Sequence, residues 1–166
     1  MRSAIRLIIV LMAVTMSLFA GGSGTLARAE NIDQLRHKAA QGNAEAQNNL
    51  GEMYIFGNGG VPHDDGQAVE WLRKAADQGY ARAQNNLGVM YRNGRGVAKN
   101  YGQALAWLRK AANQGNSAGQ WNLGLMYAKG FGVAQDMDEA KKWWRMAAAQ
   151  GDENAQYNLR KLGEKW

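Results

Sequence analysis

The feature that most constrains this chain is its agreement with itself. Trp71, Trp107 and Trp143 lie 36 residues apart, as do Val61, Val97 and Val133. The pairs Ala39-Ala40, Ala75-Ala76, Ala111-Ala112 and Ala147-Ala148 keep the same interval. Residues 79–114 laid on 115–150 without gaps agree at 17 of 36 positions. A period of this length marks a repeat array, in which each copy buries its apolar face only against its neighbours. Three copies result: 42–78 (one residue longer, at Gly59-Gly60), 79–114 and 115–150. Partial copies flank them at 30–41 and 151–166.

Each copy reads as two helices. Ala46, Leu50, Met53 and Tyr54 fall on one face at 3.6 residues per turn, and Ala68, Trp71, Leu72, Ala75 and Ala76 form a second stripe. Gly51 returns as Gly88 and Gly124 inside the first helix, where glycine costs about 1 kcal/mol against alanine. Its return implies that another helix comes close there. Asp64-x-x-Gln67, Asn100-x-x-Gln103 and Asp136-x-x-Glu139 fit capping boxes opening the second helix. Gly42, Gly79, Gly115 and Gly151 are placed to end helices in the left-handed region. The expected fold class is all-α: a superhelical solenoid of antiparallel helix pairs.

With no cysteine in 166 residues, a disulfide framework, a thiolate-bound metal and a thiol nucleophile are excluded. Two histidines, His37 and His63, leave little for a histidine-based centre. The formal charge of +6 is concentrated at the start. Arg2 and Arg6 precede an apolar run from Leu7 to Phe19, and Ala27-Arg28-Ala29 supplies a small-x-small cleavage pattern. Residues 1–29 are therefore expected to be a signal peptide cut after Ala29. The run is shorter than the ~20 residues of a membrane span, which favours a cleaved leader over the alternative of an uncleaved anchor, and no stable insertion is expected after cleavage. Without Cys at the cut, a lipoprotein anchor is excluded. The remaining chain carries 17 Lys+Arg against 14 Asp+Glu, too mild an excess for a nucleic-acid binder.

The pattern is specific enough to resemble a family. Ala83-Gln-Asn-Asn-Leu-Gly-Val-Met-Tyr91, with Gly94-x-Gly96-Val97 and Ala106-Trp-Leu-Arg-Lys-Ala-Ala112, is similar to the Sel1-like repeat. The resemblance covers nearly all of 31–166. It implies a solenoid related to tetratricopeptide arrays and an adaptor or scaffold role. A periplasmic or secreted location follows from the leader. The implied partner is a protein or peptide: an envelope sensor, an envelope complex or a host protein. In the last partial copy Leu159-Arg160-Lys161-Leu162 replaces the Leu-Gly-x-Met of the others, which reads as a capping helix.

In such an array, binding belongs to positions that change between copies. The stripe opposite the core of the first helix holds Glu45, Asn48, Glu52 and Ile55. By analogy with tetratricopeptide arrays it faces the concave side. Carried forward it gives Arg82, Asn85, Val89 and Arg92, then Ala118, Trp121, Leu125 and Ala128, then Asn154, Tyr157, Lys161 and Glu164. The surface thus runs from acidic and amide-rich through basic to apolar. Trp121, Leu125 and Tyr157 are the expected anchor cluster, because aromatics dominate many interfaces; packing of Trp121 between repeats is the alternative. Trp71, Trp107 and Trp143 are expected in the core.

No catalytic, cofactor or metal residues are assigned. The Gly-x-Gly loops lack the strand and spacing of a dinucleotide fingerprint and read as turns. Asp64-Asp65, Asp138-Glu139 and Asp152-Glu153 sit at helix starts, where acids meet the helix dipole. His63 beside Asp64 lacks further ligands at metal-binding spacing. The competing class is a hydrolase of cell-wall or β-lactam substrates, linked to a cysteine-rich branch of similar repeats. The paired cysteines of that branch are absent here. A purely architectural part in an envelope complex is the third possibility.

Overall fold

The computed structural model describes residues 31–166; the signal-peptide expectation lies outside them. Helical residues 31–40 (α1) lead into three hairpins. These are α2 (Ala44–Phe56) with α3 (Asp65–Asp77), α4 (Ala81–Asn93) with α5 (Tyr101–Asn113), and α6 (Ser117–Lys129) with α7 (Met137–Ala149). α8 (Glu153–Lys161) follows. Every helix packs on the next in sequence, and the first helices α4 and α6 also touch one another. First helices therefore line the tighter, inner side of the stack, and second helices the outer side. Among the described residues no helix is long and apolar enough to cross a membrane.

Local chemistry sets the helix ends. Asn43, Asn116 and Asp152 each accept a hydrogen bond from the backbone N–H three residues on, capping α2, α6 and α8. Tyr80 stands at that position in the second copy, and its side chain makes no cap bond. At the other end of a hairpin, Gly79 adopts φ +88° while the Tyr80 N–H reaches back to the Ala75 carbonyl. This is the pairing that satisfies the last carbonyls of a helix. Gly42, Gly115 and Gly151 repeat it.

The capping boxes form only by half. Asp64, Asn100 and Asp136 do accept from the N–H of Gln67, Gln103 and Glu139. Their own N–H groups, however, donate to the carbonyls of Tyr54, Tyr91 and Tyr127. The donor that Gln or Glu would satisfy is thus already used to tie the start of the second helix to the end of the first.

The recurring first-helix glycine marks the close approach that its return implies. A Cβ on Gly88 would sit 2.7 Å from Leu108 Cγ and 3.2 Å from the Ala104 carbonyl oxygen; Gly51 meets Leu72 and Ala68 likewise. In the third copy Trp144 takes the leucine's place and donates its indole N–H to the Trp121 carbonyl at 3.1 Å. The small buried residues Ala68, Ala75, Ala76, Ala104, Ala111 and Ala112 let these helices approach. Trp71, Trp107 and Trp143, expected in the core, are instead half-buried, each packed on the cluster before it. Lys74 and Lys110 lie over the Trp71 and Trp107 rings at 4.1 and 4.0 Å. A large indole on an outer helix seals the seam between copies and leaves one face for a cation.

The Gly-x-Gly loops do more than turn. A Cβ on Gly96 would overlap the Asp65 carbonyl at 2.1 Å, so the loop lies directly on the start of α3 in the preceding copy. Beside it, Arg95 grips the Asp65 carboxylate through two nitrogens at 2.6 and 3.0 Å. In the next junction the equivalent pair, Phe131 and Tyr101, is stacked with centroids 4.7 Å apart. One geometric contact is made by charge in one seam and by rings in the other.

Candidate functional site

Two polar ladders run through the stack, and they decide which inner-face residues are free. Gln47, Gln84 and Gln120 are buried. Each donates to a carbonyl at the end of the preceding second helix (Ala39, Ala76, Ala112) and accepts from the glutamine ending its own (Gln78, Gln114, Gln150). The second ladder joins first helices: Asn86 donates to Asn48 Oδ1 at 3.2 Å, and Asn122 to Asn85 Oδ1 at 2.9 Å. Asn48 and Asn85 are buried by these contacts. They hold copies in register, as buried amides must be satisfied.

The other stripe residues have varied placements. Glu45 is exposed. Glu52 accepts from Asn48 at 3.1 Å, Asn86 at 2.8 Å and Arg82 at 2.6 Å, which fixes Arg82 across the groove between α2 and α4. Val89 is half-buried against the Leu108–Leu123 cluster. Arg92 reaches from α4 to α6 and donates to Asn122 Oδ1 at 2.7 Å. Burial lowers its pKa from the ordinary arginine value, and no carboxylate pairs with it among the described residues. It fills the seam between α4 and α6.

The three residues of the expected anchor cluster differ in exposure. Trp121 is half-buried against Trp144 and its neighbours, with its indole N–H enclosed and unpaired. Tyr157 stands 60% exposed on α8. The packing of α6 on α7 and α8 draws the Trp121 ring into the seam. Leu125 and Lys161 do share a groove, between α6 and α8, but neither Trp121 nor Tyr157 lines it.

A larger groove of about 400 Å³ opens between α2, α4 and the start of α6. Ile55 and Phe56 form one wall, the Glu52–Arg82 pair and the Asn85-Asn86 amides another, and Asn116 and Ala118 close it. Phe56 is 71% exposed, the most open of the large apolar side chains among the described residues. Sequence reasoning missed it because it lies one residue beyond the stripe. The usable signal was its contrast with Asn93 and Lys129 at the same place in the other copies.

The other displaced titrations belong to the C-terminal end. Glu164 is held below the usual carboxylate range by hydrogen bonds from Arg145 and then Lys141. Asp138 is lowered and Lys141 raised by their mutual contact. The Glu164 pairs fasten α7 to the segment after α8, while Asp138–Lys141 lies within α7. Among the described residues no three His, Asp or Glu side chains gather as a metal site.

The profile of the Sel1 repeat matches residues 44–80, 81–116 and 117–152. The chain belongs to the Sel1 repeat family. Those spans begin at the first residues of α2, α4 and α6. Among solved structures, the Sel1 chain is similar to c5321, "a protective antigen present in uropathogenic Escherichia coli strains". The two share 45% identity and a TM-score of 0.72 over 77% of this chain and 27% of that one. It thus spans about a quarter (27%) of that antigen's length. A Sel1 repeat protein from Oxalobacter formigenes is 41% identical, with a TM-score of 0.69, over 79% of this chain and 98% of that one. Cysteine rich protein B of Helicobacter pylori shares the fold at 24% identity and a TM-score of 0.61, over 77% of this chain and 96% of that one. No curated protein matches.

Proposed function

We propose that this Sel1 repeat chain is an exported, non-catalytic scaffold that captures a protein or peptide segment on the inner face of its first helices. The observation that carries this reading is the groove between α2, α4 and α6, where exposed Phe56 lies beside the Glu52–Arg82 pair. An exposed aromatic next to an ion pair that is already oriented gives a partner an apolar anchor and fixed polar contacts. The ladders hold this surface rigid, so a partner loses little free energy in ordering it. Export rests on the apolar N-terminal run with its small-x-small site. Similarity to a protein described as a protective antigen agrees with it.

The test is capture from the native envelope fraction by immobilised protein. Phe56→Ala with Arg82→Gln is expected to lose the partner at least tenfold while melting near the parent. Full capture by a variant of unchanged melting would refute the groove. Tyr157→Ala and Trp121→Ala extend the test along the stack. For half-buried Trp121, a lowered melting temperature marks a packing role.

A further inference from the structure

The three seams between first helices are built from equivalent positions and differ at one of them. Ile55, Arg92 and Ala128 occupy the same place in successive copies. In the middle seam Arg92 spans the gap and donates to Asn122. In the last seam Ala128 stops short, and a groove of about 260 Å³ remains between α6, α7 and α8. Its floor is Leu125, Ala128 and Trp144. Asn158, the counterpart of Asn122, lines it and makes no side-chain hydrogen bond among the described residues. The neighbours that occupy Asn122, Asn85 and Arg92, are replaced by Trp121 and Ala128.

The charge around this groove is one-sided. Lys129 and Lys161 line it, neither forms an ion pair among the described residues, and no carboxylate is in its wall. Of the acids near that end, Glu164 is engaged by Lys141 and Arg145 and Asp138 by Lys141; Glu153 lies at the far start of α8 and does not line the groove. The first groove, by contrast, carries its own acid–base pair. The volume falls below the ~300–1,000 Å³ of small-molecule sites, and suits a single side chain.

Resting on the scaffold reading above, we propose that the α6–α8 groove receives an apolar side chain of an extended peptide segment flanked by acidic residues. The apolar group covers Leu125, Ala128 and Trp144, the flanking carboxylates pair with Lys129 and Lys161, and a peptide group of the ligand satisfies Asn158. This specifies one end of the inner face by partner chemistry.

The test uses acetylated and amidated hexapeptides with a central Leu or Phe flanked by Glu, Gln or Lys. Binding to the purified protein is measured by fluorescence polarisation. Glu-flanked peptides are expected to bind at least tenfold tighter than Lys-flanked ones, and more weakly as salt is raised. Ala128→Arg, which restores the side chain of the middle seam, is expected to cut binding at least tenfold. Its melting should stay near the parent's. Lys161→Glu is expected to lower the acidic preference, and serves if Ala128→Arg melts early. Absence of binding by any peptide, absence of a flank preference, or unchanged binding to a natively melting Ala128→Arg each overturns the proposal. Envelope-partner capture that depends on Phe56 but not on Ala128 would overturn it alone and leave the scaffold reading standing. Capture indifferent to both would remove the scaffold reading too.

Discussion

Gly88→Ala separates tertiary packing from helix propensity by the sign of its effect. In an isolated helix the change stabilises by about 1 kcal/mol. Here the new methyl would lie 2.7 Å from Leu108 Cγ and 3.2 Å from the Ala104 carbonyl oxygen. Leu108 is fully buried and cannot swing away without displacing its neighbours, and the carbonyl belongs to the α5 backbone. Overpacking of this kind costs about 1–3 kcal/mol, and spreading α4 from α5 disturbs the ladder contacts on both sides. Set against that gain, the expected net effect is a loss of up to about 2 kcal/mol, read by urea denaturation followed by circular dichroism. Gly102→Ala is the control: its methyl meets only the Asn100 side-chain oxygen, at 3.3 Å. That variant is expected to be as stable as the parent or up to about 1 kcal/mol more stable. A Gly88→Ala protein more stable than the parent by the full propensity gain would refute the close approach of α5.

Three further outcomes follow from the same structure. Gln84→Ala leaves the Ala76 carbonyl and the Gln114 amide without their partner, and is expected to cost about 1–3 kcal/mol in chemical denaturation. Asp65→Asn weakens the two-nitrogen grip of Arg95, and a double-mutant cycle with Arg95→Ala is expected to show a coupling of about 0.5–1 kcal/mol that shrinks in high salt. Glu164 has a carboxyl pKa lowered by folding, so its stabilisation is complete above the unfolded value and fades as pH falls through the folded one. Glu164→Gln is therefore expected to melt below the parent at neutral pH, with the gap closing in acid.

The architecture was legible because it is written several times over. The tryptophan and alanine-pair spacings gave the copies, and the glycine returning at 51, 88 and 124 gave the place where helices approach. The binding surface was less legible, because a helical wheel distinguishes polar from apolar but not a free amide from a paired one. Asn48 and Asn85 share a face with Glu52 and Arg82, yet they serve the ladder. Their partners Asn86 and Asn122 recur in every copy, as do Gln47, Gln84 and Gln120, and that recurrence was the signal for structure. The capping boxes misled for a related reason. Whether a backbone N–H needs a side chain depends on whether a carbonyl such as that of Tyr54 is already in reach. Trp121 was undecidable from sequence because its burial depends on how α7 and α8 close over α6.

On the scaffold reading, partners meet the inner face of the first helices. Backbone amide shifts, followed by NMR as the captured partner is added, test it directly. The largest changes are expected around Phe56, Arg82 and Ala118, and around Ala128 and Lys161, with the outer faces of α3, α5 and α7 unmoved. Changes confined to the outer faces, around Lys74, Lys110 and Met146, would contradict it.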